Sequence, residues 1–114
     1  MTIEVISIPV FSEKFPRWRV SVDLSGVRYT LYITWNSLME NWYMTILDIN
    51  DKILLGGIRL VPNTTLLDKY RASVPELPPG DLVIFDRIGN LETAEITRDN
   101  LGSRFDLSYV ISGE

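Results

Sequence analysis

The sequence predicts an all-β protein, either a small β-sandwich or a bent β-barrel, built on an antiparallel meander with one short helix. Three observations predict it. Apolar and polar residues alternate with period two in several segments, turn-forming residues punctuate them at short intervals, and no long segment has the 3.6-residue period of an amphipathic helix. The chain of 114 residues is short enough for residues 1–114 to form a single domain around one core.

Ile3 to Ile8 form a short β-rich run that Pro9 stops, which gives a first strand. After Pro16, Trp18, Val20, Val22 and Leu24 alternate with Arg17, Arg19, Ser21 and Asp23, the pattern of a strand with one wet face. Ser25-Gly26 supplies a turn. Val27, Tyr29, Leu31, Ile33 and Trp35 then alternate with Arg28, Thr30, Tyr32 and Thr34, so the two strands form a hairpin. Asn36 to Asn41 make a polar connection, and Trp42 to Ile49 fold back as the next strand.

Asn50-Asp51 reverses the chain again, because both side chains tolerate positive φ. Ile53–Leu55 and Ile58–Val61 are apolar runs interrupted by Gly56-Gly57, where a bulge or sharp bend is expected. Pro62-Asn63 breaks that strand, and Thr64 or Thr65 can cap a short helix through Leu66–Tyr70. Pro75, Pro78, Pro79 and Gly80 mark a long surface connection. Asp81–Phe85 is a continuous apolar run after an acid, suiting a strand buried on both faces or lying between sheet and helix, and it is expected to be core. Ile88–Ile96 carries a turn at Gly89-Asn90 but no clear element, and Asp99-Asn100-Leu101-Gly102 signals another turn after it. Phe105, Leu107, Tyr109 and Ile111 alternate with Asp106, Ser108 and Val110 in a closing strand.

Composition narrows the function. The chain has no His and no Cys, which removes the commonest general base, the commonest zinc ligand and every thiolate nucleophile. Only Lys14, Lys52 and Lys69 could serve as a lysine base, and no G-x-S-x-G signature is present. The expectation is no enzyme, no metal and no cofactor. Eleven Lys and Arg stand against fifteen Asp and Glu, a net charge of −4, the wrong balance for gripping a phosphate backbone. No apolar run approaches the roughly 20 residues of a membrane span, and Met1-Thr2-Ile3-Glu4 lacks the basic start of a secretory signal, so a cytoplasmic product is expected.

Asp48, Asn50 and Asp51 suggest calcium at first sight, but the spacing of a calcium loop is absent and a hairpin turn is the simpler reading. Trp18, Trp35 and Trp42 with Tyr29, Tyr32 and Tyr43 could form a sugar-stacking platform if several rings lay exposed on one face. Core packing is favoured. Tyr32, on the face opposite Leu31 and Ile33, is the expected surface aromatic, and with Leu38 and Met39 it is a candidate interface.

The run from Leu24 to Pro62 carries further information. A hairpin containing Gly26 and Tyr29 ends in Trp35-Asn36, followed by Trp42-Tyr43, the acidic turn at Asp48, an apolar stretch with Gly57, and Leu60-Val61-Pro62. This order resembles the phage baseplate plug family, and Leu66-Leu67 and Thr97–Gly102 look similar as well. The chain departs from the family at Asp51 and Asn63, where Gly would be expected.

The resemblance implies a structural part of a contractile tail baseplate, near the hub and tube end, that helps to close it. It implies scaffold roles for the motif residues, other tail proteins (hub, tube or spike) as partners, and no cofactor; from charge and the lack of a long apolar run, neither a membrane nor a specific nucleic-acid sequence is an expected partner. The resemblance leaves homo-oligomerisation open. Its location would be the virion, after synthesis in the cytoplasm of the bacterial host. The competing reading is a carbohydrate-type ligand module using the Trp and Tyr rings.

Overall fold

The computed structural model describes residues 2–11, 15–90 and 94–113. Lys14 and residues 91–93 of the Ile88–Ile96 stretch lie outside the described residues. Seven strands occur among those described: β1 (Thr2–Ser7), β2 (Arg17–Leu24), β3 (Val27–Asn36), β4 (Asn41–Leu47), β5 (Ile53–Arg59), β6 (Asp81–Asp86) and β7 (Phe105–Gly113). They form two antiparallel sheets, one ordered β2-β3-β4-β5 and the other β1-β7-β6. Of the two expected architectures this is the β-sandwich.

The four-stranded sheet is the meander that alternation predicts. Leu24 pairs with Val27 across a two-residue turn in which Ser25 and Gly26 have φ of 56° and 85°. Two positive φ values give the turn the twist that matches its strands, and glycine adopts one at no steric cost. The Gly26 N–H also donates to the Asp23 carboxylate at 2.9 Å. On β2 the apolar set of Trp18, Val20, Val22 and Leu24 is buried or half-buried, and Arg17, Arg19, Ser21 and Asp23 are exposed. The registers of β2 with β3 and of β3 with β4 are regular, whereas β4 and β5 slip between Met44 and Leu47. The irregularity sits beside Gly57, whose φ is 65°, so the expected bulge is present.

One apolar cluster joins the two sheets. It takes Leu24, Leu31, Ile33, Trp42, Met44 and Ile58 from the first and Leu82, Ile84, Phe105, Leu107 and Tyr109 from the second. Polar contacts span the same interface. The Ser25 and Tyr109 hydroxyls lie 2.9 Å apart, and the Tyr109 hydroxyl accepts from the Gly80 N–H at 2.8 Å. A Cβ at Gly80 would come within 2.7 Å of the Tyr109 ring, so the Pro75–Gly80 connection can pass this close only with glycine there.

Two expectations are corrected. The Leu66–Tyr70 helix reduces to a single 3-10 turn at Asp68–Tyr70 with no side-chain cap. Thr65 instead bridges Val83, and the Asn63 and Leu66 N–H groups donate to the Ile84 and Leu82 carbonyls at 2.8 and 3.0 Å. Those bonds satisfy backbone N–H groups that the start of a helix would leave without partners. The Asp81–Phe85 run is not buried on both faces throughout, because Phe85 is 42% exposed.

Candidate functional site

The family-motif residues divide into turn builders and core supports. Asn36 ends β3, and its side-chain oxygen accepts from the Leu38 and Met39 N–H groups, both at 3.0 Å. Asn41 closes the same turn: its amide donates to the Met39 carbonyl at 2.7 Å and accepts from the Arg59 guanidinium at 3.1 Å. Leu38 and Met39 are thereby held at the tip, 89% and 58% exposed. An asparagine at each end of a short loop suffices for this, since each side chain replaces backbone partners that the turn lacks.

Asp48 organises the next turn in the same way. Its carboxylate accepts from the Asn50 and Lys52 N–H groups at 2.8 and 2.9 Å, and Asp51 there has φ of 62°. These acids shape a hairpin, and no metal-holding cluster of His, Cys, Asp or Glu occurs among the described residues. Asn63 has φ of 59°. Both positions at which the chain departs from the expected Gly therefore keep the left-handed backbone that glycine favours, using residues that tolerate it.

The tryptophans interlock at the end of the sandwich that carries the Asn36–Asn41 turn. Trp42 is crossed edge-to-face by Trp18 and by Trp35, with ring centroids 5.3 and 5.4 Å apart and interplanar angles of 64° and 62°. Trp18 and Trp42 are buried and Trp35 half-buried. The rings form a packed wedge instead of the coplanar row that stacking on a sugar requires. The Trp42 indole N–H donates to the Thr97 carbonyl at 3.0 Å, and the Arg98 guanidinium lies over its ring at 5.3 Å. Tyr29 is buried and its hydroxyl donates to the Glu76 carbonyl at 2.9 Å, tying β3 to the proline-rich connection. Burial pushes the Tyr29 phenol up from its ordinary pKa, with a smaller push from Tyr109.

Around this wedge the chain forms a groove. Met39, Arg59, Leu60, Pro62 and Ile96 line a hollow of about 310 Å³. Trp35, Thr97 and Arg98 line an adjoining hollow of about 260 Å³, and Glu40, Glu95 and Ile96 border both. The structure thus brings Trp35, Leu60, Val61, Pro62 and the proposed contact residue Met39 to one end of the molecule. Tyr32 lies elsewhere. It is half-buried on the outer face of the four-stranded sheet, opposite Arg19 and Thr45, with Tyr43 one pair further along beside Thr34 and Arg59.

Sequence reasoning missed the role of residues 95–100 in this groove. Asn100 holds them, accepting from the Thr97 N–H at 2.6 Å and donating to the Glu95 carbonyl at 2.8 Å. The turn signal at Asp99–Gly102 was visible, but nothing local says that the segment lies on Trp42.

Fold and site together define a small antiparallel β-sandwich that presents an apolar turn and a groove at one end. A family model described as "Cyanophage baseplate Pam3 plug gp18" matches residues 5–112, and the chain belongs to that family. The family is one of baseplate plugs, so the protein is a structural component of a phage tail baseplate, a part of the virion tail that interacts with other tail proteins. Comparison with curated proteins gave no match.

Proposed function

We propose that the protein is a non-catalytic plug at the hub and tube end of the baseplate, helping to close the tube, and that it docks through the Leu38–Met39 turn and the adjoining groove. The observation that carries this reading is the division of labour in the motif. Asn36, Asp48 and Gly26 build turns, Gly57 sits at a bulge, Trp42 and Tyr29 support the core, and the Asn36–Asn41 turn holds Leu38 and Met39 out in solvent beside the groove. Exposed apolar side chains on a rigid turn are what a buried protein contact uses as anchors. On this reading residues 1–114 act as one domain, the partner is a hub, tube or spike protein, and no cofactor is needed. The chain is made in the host cytoplasm and ends in the assembled tail.

A double substitution tests the docking surface. Leu38→Ser with Met39→Ser leaves Asn36 and Asn41 in place, so circular dichroism and the melting temperature should barely change. Binding to purified tail hub components, followed by light scattering, should weaken at least about tenfold, the loss expected when anchor side chains are truncated. Unchanged binding would move the contact to another surface.

A further inference from the structure

The two sheets have four free edges, and three of them are protected against pairing with another chain. The β6 edge is covered by Pro62–Leu66 through the bonds to Ile84 and Leu82. β5 is bulged and carries Gly56 and Gly57, and β2 exposes Arg17, Arg19 and Asp23. Coverage, bulges and charges are the usual means of blunting an edge. Among the described residues, β1 has none of them beyond a single Glu4. Its residues 4–7 are all exposed, including Val5 at 57% and Ile6 at 42%.

The direction of the β1 backbone groups follows from its pairing with β7. The Ile8 N–H donates to the Leu107 carbonyl at 2.9 Å, continuing the register in which Ile6 faces Tyr109 and Glu4 faces Ile111. In an antiparallel ladder the bonded positions alternate, so Glu4, Ile6 and Ile8 bond β7, and Ile3, Val5 and Ser7 direct their N–H and C=O groups to the open edge.

We infer that β1 pairs with β1 of a second copy of this chain, antiparallel across a two-fold axis at Val5, joining two three-stranded sheets into one of six. Self-complementarity selects this occupant. A two-fold axis perpendicular to the sheet requires residues on the same face to meet, which limits the centre to a residue and not a gap between residues. Centred on Val5, the register sets Val5 against its own copy, Ile3 against Ser7 and Glu4 against Ile6. All three outward-pointing residues then find backbone partners, and no acid faces an acid. Centred on Glu4, two carboxylates would meet, which is unfavourable.

The test is mass by sedimentation or light scattering across a concentration series. The wild type should rise from 13.1 kDa to twice that value. Val5→Pro removes the central outward N–H without touching a bond to β7, and it should raise the dimer dissociation constant at least tenfold. Val5→Thr keeps that N–H and should still dimerise. Hydrogen exchange on the wild type gives a second readout that does not depend on a variant folding: the Ile3, Val5 and Ser7 amides should gain protection as concentration rises. A chain that stays at 13.1 kDa, a dimer undiminished by Val5→Pro in a folded variant, or outward amides that exchange equally fast at all concentrations would overturn the proposal.

Discussion

Arg104 grips Asp86 through two bonds, Nε to Oδ1 at 2.9 Å and Nη2 to Oδ2 at 3.0 Å, with the Asp86 side chain 1% exposed. The guanidinium, aided by the Ile88 and Gly89 N–H groups and opposed by burial, holds the carboxyl down at about 2 from an ordinary 3.8. Between those values the unfolded chain binds more protons at this site than the folded one does. The stabilisation is therefore complete above about pH 4 and is lost as pH falls toward 2. Urea midpoints measured from pH 6 down to pH 2 should drop through this window, and Asp86→Asn should flatten the drop. Asp86 was not singled out by the sequence analysis. Its pairing with Arg104, 18 residues away, required β6 and β7 to be adjacent.

At the scale of elements, the turn from Ser37 to Glu40 shows how few residues set a local shape. Glu40 there has φ of 53°, and the Asn36 side chain satisfies two N–H groups that no strand neighbour reaches. Asn36→Ala should lower unfolding free energy by about 1 kcal/mol in denaturant titration, the usual worth of such bonds. It should also weaken hub binding by loosening Leu38 and Met39, which a pure stability effect corrected for folded fraction would not do. Strands β2 and β3 were legible because half-buried strands must alternate, and the hairpin between them because Ser25-Gly26 suits two positive φ values. The Leu66–Tyr70 helix was misread for a corresponding reason. A short apolar run has little helical preference of its own, and bonds offered by β6 outweigh it.

For the whole molecule, the decisive feature is one apolar cluster shared by both sheets, filling a body of 33 × 33 × 24 Å. Neither sheet can bury its inner face without the other, so we expect cooperative unfolding of the two together. Far-UV circular dichroism and tryptophan fluorescence should lose native signal in a single coincident transition. Separate transitions would mean two independently folding units. Before unfolding, emission should be blue-shifted, since Trp18 and Trp42 are only 7% and 1% exposed.

The sequence by itself determined the all-β class, the meander from β2 to β5, most of the turns and the family, through the motif from Leu24 to Pro62. These depend on alternation, on backbone tolerance for positive φ and on residue order, all of which are local properties of the chain. Tertiary structure alone decided that the sheets close as a sandwich, that Trp18, Trp35 and Trp42 interlock, that residues 95–100 wall a groove on Trp42, and that β1 is left with an open edge. Each of these turns on which strands become neighbours across long separations in sequence. That choice is made by burying a shared core, and no single segment encodes it.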